Sequence, residues 1–147
     1  MELQLALMCD DARIDPEGKL DVHGVFNDLY APGFPAKHTM TLVVVIEWAH
    51  TDEGRFTFRI ELEDPDRNPT LTVEGHTDVD ARDPNRAPPR TRLLLPLQDV
   101  VFPKAGPYRF HVTVKGEKLG GPFLYLMEQA EPPAPIVPER QVSGNDA

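Results

Sequence analysis

Apolar and polar side chains alternate along most of this chain with a period of two, the pattern of strands that bury one face and wet the other. The clearest stretch is Arg55 to Glu63, where Phe56, Phe58, Ile60 and Leu62 oppose Arg55, Thr57, Arg59, Glu61 and Glu63. Tyr108, Phe110, Val112 and Val114 repeat it against Arg109, His111, Thr113 and Lys115. Leu3, Leu5 and Leu7 mark a first strand, and Leu71, Val73 and Val79 a weaker one. Others are predicted near 19–26, 39–48, 91–97 and 122–128. No window carries a helical stripe; Gln98 to Val101 is expected to make at most one helical turn in a crossover. The pattern predicts an all-β, two-sheet antiparallel β-sandwich of about eight strands, an Ig-like or C2-like Greek key. Each buried Leu or Phe stabilises by about 1.5–3 kcal/mol, so two facing sheets supply a sufficient core.

The turn chemistry agrees. Asp15-Pro16-Glu17-Gly18 has the residue preferences of a type I turn and should join the first two strands as a hairpin. Asp64-Pro65-Asp66-Arg67-Asn68-Pro69 is the next strong breaker, and Lys115-Gly116-Glu117 closes the last hairpin. Gly106, two residues before Tyr108, has the form of a corner in which the tyrosine hydroxyl bonds back to backbone. Residues 1–129 are read as the sandwich domain. Residues 130–147, with four prolines and one apolar pair, Ile136-Val137, are read as a disordered tail, because so little apolar surface cannot offset ordering costs of about 1–2 kcal/mol per residue.

One stretch breaks the alternation. Met40, Leu42, Val44, Ile46 and Trp48 form a core set, yet the opposite set, Thr39, Thr41, Val43, Val45 and Glu47, is too apolar for a solvent face. Val43 and Val45 are therefore expected to be covered, either by this chain or by an associating partner such as a second copy.

Charge narrows the function classes. A formal charge of −9 over 147 residues repels phosphate backbones and anionic membranes, so neither nucleic acid nor membrane is expected as a partner. The arginines from 82 to 92 are diluted by acids and prolines and read as a solvated loop. Leu5-Ala6-Leu7-Met8-Cys9 has the outline of a lipoprotein cleavage box, but Glu2 stands where a positive region is needed. A single cysteine forms no internal disulfide and suits a cytoplasmic setting.

Candidate chemistry is sparse. Asp10, Asp11, Asp64 and Asp66 are weak candidates for a loop-edge calcium site, though their spacing matches no calcium loop and aspartate is common in turns. His23, His38, His50, His76 and His111 form no ligand motif, and His76 and His111 are expected to face solvent. The only serine is Ser143, which excludes a serine triad. Asp10 and Asp11 beside Cys9 would raise its thiol pKa, the reverse of activation. Gly120-Gly121 has no helix behind it to cradle phosphate. With one Trp, no exposed aromatic platform for sugars is expected. No catalytic residue, cofactor or resident metal is assigned.

Several short segments together resemble a family of small uncharacterised bacterial proteins, a domain of unknown function. They are Leu5-Ala6-Leu7 followed by Asp10, Asp15-x-x-Gly18-Lys19-Leu20, Gly24-x-Phe26, Phe34-Pro35, Glu61-Leu62-x-Asp64, and Phe102-Pro103-x-x-Gly106-x-Tyr108-x-Phe110. These are turn and core residues, so the resemblance implies a bacterial cytoplasmic β-sandwich and carries over no catalytic residue. The expected function is a non-enzymatic protein-binding or scaffold module acting on an unknown partner or on itself. The alternative is a calcium- or small-ligand-binding sandwich using the acidic loops.

Overall fold

A computed structural model describes residues 1–129, and among them every regular element is a strand. In chain order these are β1 (Glu2–Ile14), β2 (Leu20–Phe26), β3 (Asp28–Ala31), β4 (Ala36–Glu47), β5 (Gly54–Glu63), β6 (Pro69–Val79), β7 (Arg90–Phe102), β8 (Gly106–Val114) and β9 (Glu117–Glu128). They form a four-stranded sheet in the order β2-β1-β4-β7 and a five-stranded sheet in the order β3-β9-β8-β5-β6. One cluster of buried side chains joins the two layers. Met8, Met40, Leu42, Val44 and Ile46 come from the first sheet, and Ile60, Leu62, Tyr108, Phe110, Val112 and Leu124 from the second. These are the alternate positions that the period of two assigns to the interior.

Polar bonds tie the layers at one edge. The Trp48 indole donates to Thr91 Oγ1 at 2.9 Å, and Thr91 Oγ1 lies 3.1 Å from Thr77 Oγ1 on the other sheet. Trp48 also stacks on Phe56, with centroids 4.7 Å apart. The predicted hairpin turn forms: Gly18 N–H donates to Asp15 O, and Asp15 Oδ1 accepts from the N–H groups of Glu17 and Lys19. The tyrosine corner forms too. Tyr108 is fully buried, donates to Lys104 O at 2.7 Å and accepts from Lys104 N–H at 3.1 Å.

The expected count of about eight strands comes out at nine, because β3 follows β2 after the single residue Asn27 and carries the chain from one sheet to the other. Two expectations need correction. The sandwich is not wholly antiparallel, since β3 pairs parallel with β9 over Tyr125–Glu128. Gln98 to Val101 is no helical turn but part of β7, where a bulge puts Asp99 at φ 51° and lets its N–H reach Thr39 Oγ1. A bulge adds one unpaired residue and so breaks the alternation that would have marked a strand. The tail at 130–147 lies outside the described residues.

The anomaly in β4 has an internal explanation. Val43 and Val45 are 0% and 4% exposed in the single chain. β1 pairs with β4 only as far as Cys9, whereas its pairing with β2 continues to Ile14. The far half of this hairpin therefore leaves the sheet, and Arg92, opposite Val45 on β7, donates to the Gly18 carbonyl at 2.7 Å. That bond holds the hairpin turn over the outer face of β4. Gly24 permits the close packing within the bend: its φ is +68°, and a Cβ there would lie 2.2 Å from Asp10 Oδ2.

Candidate functional site

The outer face of the five-stranded sheet divides into two halves. On β5 and β6 it is charged: Arg59 pairs with Glu61 and Glu74, and Arg55 with Asp78. On β9 and β3 it is largely apolar, the exception being Asp28 of β3, exposed opposite Tyr125. Phe123, Tyr125 and Met127, two residues apart and so on one face of β9, are 42%, 40% and 36% exposed, and Tyr30 of β3, opposite Met127, is 36% exposed. Phe123 and Tyr125 stack with their planes 18° apart. Beside them, Leu7, Val25 and Phe26 of the other sheet and Pro122 of β9 help to line an apolar groove of about 480 Å³. Monomeric proteins rarely leave large side chains gathered on one patch, and such patches mark association surfaces.

The strip ends at a second groove, also of about 480 Å³, lined by Glu63, Arg67, Arg109, His111 and Lys118, with Phe123 as the shared wall. The Glu63 carboxylate is bound on both oxygens, to His111 Nε2 at 3.2 Å and Lys118 Nζ at 3.1 Å. Burial pushes its pKa up, but the Lys118 ammonium and His111 outweigh that and hold the carboxyl below its usual range. Arg109 is placed differently. Its Nε donates to the Gly121 carbonyl at 3.1 Å, and its guanidinium carbon lies 4.6 Å above the centre of the Phe123 ring. Among the described residues no carboxylate pairs with it. Gly120 makes this seat possible, because a Cβ there would stand 2.3 Å from Arg109 Nη2. The diglycine is a platform for a side chain, on β9, whose extra residue opposite the Arg109–His111 step of β8 shifts the register.

The residues singled out from sequence fare unevenly. Asp10 and Asp11 lie within β1 and not in a loop, and Asp11 Oδ1 accepts from Ala12 N–H. Asp64 Oδ1 caps the β5–β6 turn, accepting from Asp66 and Asn68 N–H, while Asp66 pairs with Lys104. Among the described residues no group of three or more His, Cys, Asp or Glu is placed to hold a metal ion. Val43 and Val45, enclosed by their own chain, present no side chain to a partner. Cys9 is fully buried; burial, with Asp11 and Asp10, pushes its thiol up. His76 is exposed as expected, but His111 is only 15% exposed because it turns to Glu63. The expectation of no exposed aromatic platform fails. Phe123 and Tyr125 stack as one, and their alternation within 122–128 was the available signal.

A family model matches residues 4–126. The chain belongs to DUF6941, a family of unknown function. The matched span includes every strand except the ends of β1 and β9, and within the candidate site it takes in Arg109, Phe123 and Tyr125. A search of curated proteins finds no match to this DUF6941 chain. No helix among the described residues is long and apolar enough to cross a membrane.

Proposed function

We propose that this DUF6941 protein is a non-enzymatic binding module that engages a protein partner through the outer face of β8, β9 and β3. The observation that carries the reading is the contiguous set Phe123, Tyr125, Met127 and Tyr30, each more than a third exposed on a face where the neighbouring strands β5 and β6 are charged. Aromatic and methionine side chains contribute most at the centres of protein interfaces, because they bury much area for few rotatable bonds. A passive role is supported by the one thiol, buried and held protonated. We place the module in the cytoplasm, where an unpaired cysteine is stable to oxidation.

Photo-crosslinking from single positions in the intact cell tests this. A photoreactive residue at Tyr125 or Met127 should give a discrete crosslinked partner that Phe123→Asp removes, whereas one at His76 on the charged half should not. Crosslinks that form equally at all three positions, or that survive Phe123→Asp, would remove the strip from the reading.

A further inference from the structure

We propose that the partner presents a carboxylate beside an apolar side chain, as in an acidic peptide segment, and that Arg109 receives the carboxylate while the apolar groove beside Phe123 receives its neighbour. This inference rests on the reading of the strip as a protein-binding face and names the chemistry that face selects.

Three observations carry it. Among the described residues the Arg109 guanidinium uses only Nε, donating to Gly121 O, so within them both terminal nitrogens keep their N–H groups. Those groups form the planar fork that fits a carboxylate through two parallel bonds. Among the described residues no acidic side chain fills it. Glu63, the cross-strand partner of Arg109, lines the groove along with Asp64; it is already held by His111 and Lys118, and Asp64 spends an oxygen on its own turn. The local charge therefore runs against that of the molecule: Arg67, Arg109 and Lys118 line the groove against two carboxylates, on a chain of net charge −9. That contrast selects among anions. A polyanion such as nucleic acid, an anionic membrane, or a second copy with its own −9 meets repulsion from the rest of the surface. A short segment with one or two carboxylates meets a groove in which the cations outnumber the carboxylates.

The Phe123 ring sets the spacing. It lies under Arg109 and lines both grooves. A carboxylate on the guanidinium thus brings its neighbouring residue over Phe123 and Pro122, where an aliphatic or aromatic side chain loses contact with water.

Selection of a randomised seven-residue peptide library on the full-length chain tests the proposal. Recovered peptides should carry Asp or Glu adjacent to Leu, Ile, Phe or Trp. Their affinity should fall about tenfold or more in Arg109→Gln and substantially in Arg109→Lys, which keeps the charge and loses the fork. Binding to the wild type should also weaken as salt rises, a readout that needs no variant to fold. Peptides without an acid, bound equally by wild type and Arg109→Gln, overturn the carboxylate assignment but leave the strip in use if Tyr125→Asp still abolishes them. Peptides indifferent to Tyr125→Asp overturn the face itself, and with it the proposed function. Inorganic phosphate that displaces the peptides at equal molarity to acetate or better would make the groove a general anion site and sink the peptide reading.

Discussion

Two buried contacts decide how much a single side chain matters here. The Tyr108 hydroxyl both donates to and accepts from the backbone of Lys104, four residues earlier, and packs edge-on against Phe102 with centroids 5.1 Å apart. Tyr108→Phe keeps the ring but strands a half-buried carbonyl and N–H at the corner, and losing such a pair costs about 1–3 kcal/mol. A urea titration should show the midpoint lowered and the slope unchanged. Peptide binding at the strip should be untouched. A midpoint within error of the wild type would mean that water replaces the hydroxyl at no cost. This contact was legible, because Gly106-x-Tyr108 at the head of an alternating strand is a local signal. The Arg109 seat was not. It depends on Gly120 and Phe123, which meet Arg109 only through the bulged pairing of β8 with β9, and alternation says nothing about which residues become neighbours across strands.

At the level of elements, the outlying half of the β1–β2 hairpin is the part of the fold that pairing predicts least. Its last pairs, Arg13 with Asp21 and Ile14 with Leu20, lie beyond the reach of β4, and the Arg92 bond to Gly18 fixes the turn from β7. That bond joins an exposed cation to a backbone carbonyl, so its removal should cost at most about 1 kcal/mol globally. Its effect on local opening should be larger, because such segments open independently of the core. In Arg92→Ala, hydrogen exchange should quicken at the amides of residues 12–14 and 20–22 while those of β5 and β8 keep their protection. Exchange that rises uniformly in both sheets would show the hairpin to be an integral part of the cooperative unit. The apolar outer set of β4 announced that something covers it. What covers it was not legible, because the answer depends on where a hairpin bends. Likewise β3, four residues long and separated from β2 by one, is too short for periodicity to register.

For the molecule as a whole, a few carboxylates that folding makes more acidic contribute to the acid limb of stability. Glu63 is one, with burial opposing and Lys118 and His111 favouring its ionised form; Asp52 is held down by Lys115, and Asp78 by Arg55. For each, the folded-state pKa lies below the unfolded one, so the unfolded chain takes up protons first as the pH falls. The stabilisation is therefore complete above the ordinary carboxylate values, 4.5 for Glu63 and 3.8 for the two aspartates, and is lost as the pH drops through the folded values. Glu63→Gln isolates one of these contributions at the groove that seats Arg109. At neutral pH the variant should be less stable by at most about 1 kcal/mol, the range of partly exposed ion pairs. The difference should shrink as the pH is lowered past 4.5, while the remaining acid dependence, carried by Asp52 and Asp78, persists. Denaturant unfolding of both proteins across that range would show it, and a gap that stays constant with pH would mean that Glu63 acts through its shape and not its charge. The same variant frees His111 and Lys118, raising the positive charge of the groove. Acidic peptides should then bind more tightly just where the fold has become weaker, so that stability and recognition at this face pull in opposite directions.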